Sequence, residues 1–166
     1  MAETLDISDV IQPEYEPKHA NQWVMNIDGL DTWTIRTSAR PSFTIDEIEI
    51  PYINNRRYFP GRGAWEAIDI EILDVIAPSS AEKAMVWLRQ IHNDETGQHG
   101  YRAAIVKQVV LILLGPANEV IEKWVLVNTW PTNINFGSVG LDYDAGDELR
   151  ISMSLRFDYA KLIPIV

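Results

Sequence analysis

Glu148-Leu149-Arg150-Ile151-Ser152-Met153-Ser154-Leu155-Arg156-Phe157-Asp158-Tyr159 alternates polar and apolar side chains without an error. Successive side chains of a strand point to opposite faces, so Leu149, Ile151, Met153, Leu155, Phe157 and Tyr159 share one face and the polar residues share the other. A helix does not produce this period, and the stretch predicts a long strand with one buried face. Upstream, Val120 to Thr129 predicts another strand. Ala103 to Leu114 is apolar on both faces except at Lys107 and Gln108, and Gly115-Pro116 ends it. Both sides of such a strand must be covered. Trp65 to Ile76 sets Ile68, Ile70 and Ile72 against Asp69 and Glu71, which predicts a half-buried strand with an acidic outer face.

Nearer the N-terminus, Gln22 to Ile27 and Thr32 to Arg36 flank Asp28-Gly29 and predict a hairpin. Ser42 to Ile50 alternates but slips phase at Asp46-Glu47, which predicts a β-bulge. Pro51, Asn54-Asn55, Pro60, Gly61 and Gly63 then break regular structure around Arg56, Arg57, Tyr58, Phe59 and Arg62, and predict a long loop rich in interface-type side chains. One segment reads as a helix. Ser79-Ser80-Ala81-Glu82 is a capping-box signature, and Ala84, Leu88 and Ile91 follow at helical spacing to about His92. Asn93 to Gly100 is a polar loop, and residues 1–20, with five acids and two prolines, read as an arm. The sum is a mainly β chain: an antiparallel β-sandwich or barrel of about seven strands with one flanking α-helix.

Composition excludes several functions. With 166 residues, 46% of them hydrophobic, the chain suits one domain with a real core. Twenty-four acids against 14 bases give a net charge of −10, which opposes tight phosphate binding. The absence of cysteine removes disulfides, thiolate zinc sites, iron-sulfur clusters and cysteine nucleophiles together. Met1-Ala2-Glu3-Thr4 lacks a signal peptide's basic and apolar regions, and the longest apolar run, Val109 to Leu114, is far below the ~18 residues of a membrane span. A soluble chain with no membrane partner is expected.

The search for catalytic chemistry yields little. Gly61-x-Gly63 lacks the third glycine of a dinucleotide loop, since Glu66 stands in its place and a strand follows. Asp142-x-Asp144 with Gly146 and Asp147 is out of order for a calcium loop and reads as a turn between strands. His19, His92 and His99 share no metal-ligand spacing, and Ser138 is not in a nucleophile elbow. Asp69 and Glu71 share a face, as an acid/base pair would, but without a burial signal they read as a solvated or pore-lining face. We therefore expect no enzyme, no catalytic residue, no metal and no cofactor. Arg56 through Arg62 is the one basic patch with interleaved aromatics, a composition that suits single-stranded nucleic acid or a protein interface, and the net charge of −10 favours docking on an acidic surface of another copy.

Three segments carry a resemblance: Trp130-Pro131-Thr132-Asn133; Leu141-Asp142-Tyr143-Asp144 with Glu148-Leu149 and a strand ending Phe157-Asp158-Tyr159; and Ile53-Asn54-Asn55-Arg56 through Gly61 with Trp65-Glu66. Together the chain resembles the tail tube proteins of contractile-tailed (myovirus) bacteriophages over roughly residues 20 to 160. The resemblance implies a structural virion subunit that forms hexameric rings stacked into a hollow tube, with strands of neighbouring subunits joined around a lumen that conducts DNA during ejection. It implies inter-ring contact at Asn54, Asn55, Arg56, Arg57, Tyr58, Phe59 and Arg62, and a lumen face at Asp69 and Glu71. Trp130, Pro131, Asp142, Tyr143 and Asp144 are the motif residues. The domain organisation then reads as an arm over 1–20, a tail-tube β-barrel over 21–160 and a tail over 161–166. Implied partners are further copies, the sheath, the tape measure protein and the baseplate or initiator, with DNA passing without tight binding and assembly in the host cytoplasm. The inner tube of a phage-derived contractile injection system is the alternative within this class. Outside it stand a monomeric β-sandwich binding module and, more remotely, a hydrolase using His99.

Overall fold

A computed structural model describes residues 14–165. The main sheet is antiparallel throughout and is built from β1 (Trp23–Ile27), β2 (Ile35–Thr37), β5 (Ile68–Leu73), β8 (Lys107–Leu114), β9 (Val120–Asn135), β10 (Arg150–Arg156) and β11 (Tyr159–Pro164). Its order is β1-β8-β9-β10-β5-β2, with β11 also paired to β9. The sheet curls until it nearly closes as a barrel. Its inner face carries the core expected from the alternation: Ile151, Met153, Leu155 and Phe157 are buried with Ile68, Ile70 and Ile72 from β5, and with Met25, Ile27, Val109 and Leu111.

The bending is concentrated in β9. Asn128 adopts a left-handed φ of 55°, and the register against β8 shifts across that point. Asn tolerates this conformation better than most side chains, and its amide donates to Asp158 Oδ2 at 2.7 Å. That bond is the main cause holding the Asp158 carboxyl below its ordinary pKa, with Arg102 adding to it. A second shift falls between Ser154 and Leu155, where β10 meets Thr132 and Pro131, and the Thr132 hydroxyl donates to the Ser154 carbonyl at 3.1 Å. Proline cannot donate to a sheet ladder and sits well at such an irregularity.

Helix α1 (Ser80–Ile91) begins as the capping residues predict, with Ser79 Oγ accepting from the Glu82 amide at 3.3 Å. Its deepest residues are Ala84 and Trp87, while Leu88 and Ile91 are half-buried. The Trp87 indole N–H donates to the Ile105 carbonyl at 2.9 Å, and Lys107 Nζ lies 4.6 Å from the centre of its ring. Burial pulls the Lys107 pKa down, Asp28 opposing it. The same Nζ donates to the Asp28 carbonyl at 2.7 Å and passes Gly29, whose φ of 85° and lack of a Cβ leave room for it.

Four expectations need correction. Residues 22–27 and 32–36 do not pair with each other: β1 pairs with β8 and β2 with β5, so the two strands stand at opposite ends of the sheet order. Asp28-Gly29 does turn the chain, but buried Leu30 and a 3-10 turn over Thr32–Thr34 carry it onward. Ala103 does not begin a strand. A single helical turn, Arg102–Ile105, comes first and supplies the carbonyl that Trp87 uses. Between it and α1 a two-residue ribbon, β6 (His92–Asn93) with β7 (Gln98–His99), frames the polar loop.

The third correction is the largest. Pro51 to Gly63 is not a loop. It forms most of a hairpin between β3 (Phe43–Tyr52) and β4 (Asn55–Trp65) that pairs with no other strand among the described residues. Both strands are edge strands, where proline is tolerated, and the expected bulge is present between Ile45 and Glu47. Its glycines serve close approach: a Cβ on Gly63 would fall 2.2 Å from the Phe43 ring, and one on Gly61 would fall 2.9 Å from the Asp46 carbonyl. Fourth, the strand expected to run from Leu149 to Tyr159 breaks after Arg156 and resumes as β11, so Lys161, Leu162, Ile163 and Pro164 pair with Val125, Trp124, Lys123 and Glu122. The expected arm lies outside the described residues up to Pro13; Glu14 and Glu16 are exposed, and Lys18 is ion-paired to Glu122.

Candidate assembly surfaces

The hairpin holds all seven residues expected at an inter-ring contact, and all seven are exposed. Cross-strand partners lie on the same face of a ribbon, so Ile48 with Phe59, Ile50 with Arg57 and Tyr52 with Asn55 define one face. The other presents Glu49 with Tyr58 and Glu47 with Pro60. The first face is apolar and capped by a cation, with the Arg57 guanidinium 5.6 Å from the Tyr52 ring centre. The second is polar, with Arg56 Nε at 3.0 Å from Glu49 Oε1. Ile48, Ile50, Tyr52 and Phe59 are each roughly 40 to 50% exposed, and Ile53 at the tip is fully exposed. A contiguous apolar face of this kind on a projecting ribbon marks an interaction surface. The root is firmly mounted: Phe43 meets Trp65 edge-on at 4.9 Å, and Trp65 lies 6.0 Å from Phe157. Ser42 and Thr44 hydroxyls donate to the Glu66 carboxylate at 2.8 and 2.5 Å and hold its pKa low, Thr44 contributing most.

Asp69 and Glu71 do share the outer face of β5, as their spacing requires. They continue across the sheet in two polar rows, Asp69 beside Ser154 and Asn133, and Glu71 beside Ser152 and Asn135. Ser154 Oγ donates to Asp69. Glu71 instead shares Arg150, at 3.4 Å, with Glu148 at 2.9 Å. This face presents hydroxyls, amides and one carboxylate free of any ion pair among the described residues.

The motif residues separate. Trp130 is half-buried beside a cleft and Pro131 is buried opposite Leu155. Asp142, Tyr143 and Asp144 lie in the exposed loop beyond the far end of β9, in a turn where Asp142 accepts from the Asp144 and Ala145 amides. Ser138 is engaged with the main chain, donating to the Arg150 carbonyl. His92 and His99 face each other across β6 and β7 with ring centres 4.6 Å apart, and His92 Nε2 is 3.1 Å from Asp94; His19 is exposed and apart from both. No group of three metal-capable side chains occurs among the described residues.

Two features escaped the sequence reading. One is a cleft of about 620 Å³ lined by Trp65, Ile105, Trp130 and Phe157, with Arg102, Arg156 and Asp158 also in its lining. The two tryptophans were its only trace. The other is Glu122, buried and accepting from Lys18 and from the Trp124 indole, with Arg40 Nη1 at 3.9 Å. The Lys18 hydrogen bond is the main cause of its lowered pKa.

These surfaces belong to a known architecture. The fold superposes with TM-score 0.73 on a chain of the anti-feeding prophage tube-terminating cap, covering 96% of this chain and 99% of that one at 16% identity. It superposes with TM-score 0.69 on a chain of the sheath-tube complex of an extracellular contractile injection system, covering 98% and 100% at 16% identity. The fold is therefore the one found in the tubes of contractile injection systems. At the level of sequence the chain is similar to the tail tube protein of Serratia phage KSP90, to which it is 29% identical over 123 residues, 73% of this chain and 68% of that protein. No protein-family model matches the chain. The resemblance read from the motifs is thus borne out.

Proposed function

We propose that this chain is the repeating subunit of a phage tail tube, closing into hexameric rings that stack and conduct DNA during ejection. The observation that carries the reading is the β3/β4 hairpin, a ribbon with an exposed apolar face that its own barrel leaves uncovered. The similarity to a tail tube protein supports the same reading. In the stack, the hairpin's Arg56, Arg57 and Arg62 dock on an acidic surface of the next ring in a chain of net charge −10. The polar rows through Asp69 and Glu71 face the lumen, where hydroxyls and carboxylates predominate and Arg150 is held by Glu71 and Glu148, which leaves phosphate little to hold. Residues 21–160 supply the tube domain. Residues 161–164 join that domain through β11, the arm reaches the sheath or an adjacent copy, and the tape measure protein and baseplate meet the tube's inside and end.

The injection-system tubes share the fold over nearly the whole chain, and this supports a second reading, an inner tube that carries protein cargo. A neighbouring capsid gene or toxin gene separates the two. The test of the first reading is electron microscopy of the purified chain with and without sheath and initiator. Rings or stacked tubes are expected. Dispersed monomers under every condition overturn it in favour of a monomeric β-sandwich module.

A further inference from the structure

The cleft and the Tyr143 loop are complementary, and they lie at opposite ends of β10. Leu141 and Tyr143 are almost wholly exposed, an unusual state for two large apolar side chains side by side in one turn. Aspartates flank Tyr143 on both sides. The cleft offers the converse: two tryptophans, Ile105 and Phe157, with Arg102, Arg156 and Asp158 also in its lining. Arg102 is already held by both oxygens of Asp158 at 2.6 Å, whereas Arg156 makes no ion pair among the described residues. The loop does not fill its own cleft. It is tied at the far end of β10 by Ser138 Oγ on the Arg150 carbonyl and by the Asp74 amide on the Leu149 carbonyl. Six residues of strand, about 20 Å, separate Arg150 from Arg156.

We propose that Tyr143 of one copy seats in the cleft of a second copy, with an aspartate beside it accepting from Arg156. This rests on the tube reading above. A projection at one end and a socket at the other make a heterologous contact, which closes a ring when its rotation permits. A buried tyrosine contributes the large contact area typical of interface anchors, and a desolvated carboxylate–guanidinium pair fixes its register. The hairpin tip, another exposed apolar element, is disfavoured in this socket by charge: it would bring Arg56 and Arg57 against Arg156.

The chain has no cysteine, so a disulfide trap is clean. Chains carrying Ala145→Cys, which leaves Tyr143 in place, and chains carrying Ala64→Cys, both at exposed positions, are mixed, allowed to assemble, imaged and oxidised. The expected result is a mixed dimer at least tenfold above that formed by Ile76→Cys with Ala64→Cys, falling at least tenfold when Arg156→Glu is added to the Ala64→Cys chain. Rings or tubes with pairing no better than the Ile76 control overturn this contact and leave the tube reading intact. Dispersed chains with no pairing overturn both.

Discussion

The barrel and the hairpin solve opposite problems with similar amino acids. In β5 and β10 isoleucine, leucine and methionine alternate with polar residues and are almost fully buried. In β3 the same alternation of isoleucine with acids leaves every residue of the strand exposed. The difference is topological. β10 has β5 on one side and β9 on the other, and its inner face joins the core cluster that also holds Ala84 and Trp87 of α1, while among the described residues β3 has only β4. Alternation fixes which side chains share a face, and only the neighbours decide whether that face is an interior. One region therefore stores folding free energy, and the other leaves its apolar surface exposed.

Substitutions that separate the two roles test this contrast. Trp87→Ala carries the largest expected effect. It empties the centre of the α1 packing, orphans the Ile105 carbonyl and removes the ring beneath Lys107, for a loss of about 3–5 kcal/mol in denaturant unfolding. The contrast fails if the loss is under about 1 kcal/mol. Next is Gly63→Ala, whose new Cβ displaces the Phe43 ring and with it the Phe43–Trp65–Phe157 stack at the hairpin root. Such crowding costs about 1–3 kcal/mol. A value near zero would show that the hairpin is hinged loosely on the barrel.

Glu122 gives a smaller, pH-dependent effect. Its folded pKa is held below 4.5, chiefly by Lys18. A depressed carboxyl contributes stability that is complete above its unfolded pKa and is lost as pH falls through the folded value. Unfolding free energy should thus decline on the acid side of pH 4.5, and Glu122→Gln should flatten that decline, because the amide has no charge to lose. An unchanged acid limb in the variant would remove Glu122 as the fastening point of residues 14–20.

The sequence disclosed the parts of this contrast unevenly. The alternation of residues 149–157, the bulge at 45–47 and the Ser79 cap are local, depending on residues a few positions apart, and each stands where expected. The hairpin was hidden because Pro51, Pro60, Gly61 and Gly63 ordinarily end strands, and here an unpartnered ribbon tolerates the first two and ring packing requires the last. The pairing of β1 with β8 joins residues more than eighty positions apart, and only the closed sheet order explains it. The cleft draws Trp65, Ile105, Trp130 and Arg156 from four segments, so their residue types were legible and their meeting was not. The inter-ring residues were read as one patch, but on the hairpin Arg56 and Tyr58 fall on one face and Arg57 and Phe59 on the other, a division that a loop reading does not contain.

That division supports the prediction with the smallest effect on stability. Arg56→Glu with Arg57→Glu alters only exposed side chains, so unfolding free energy should stay within about 0.5 kcal/mol of the parent. Arg56 loses its bridge to Glu49, an exposed pair of little energetic weight, and Arg57 loses its place over Tyr52. Stacking is expected to fail, because two cations become two anions on the element proposed to dock on an acidic neighbour. Separated rings in place of tubes, seen by electron microscopy beside an unchanged unfolding curve, is the expected pair of results. Tubes of normal length from the variant would move the stacking contact off the arginines. Ile48→Ser with Phe59→Ser would then ask whether the apolar face alone carries it, since those two side chains lie on the face opposite Arg56 and touch no part of the barrel's buried core.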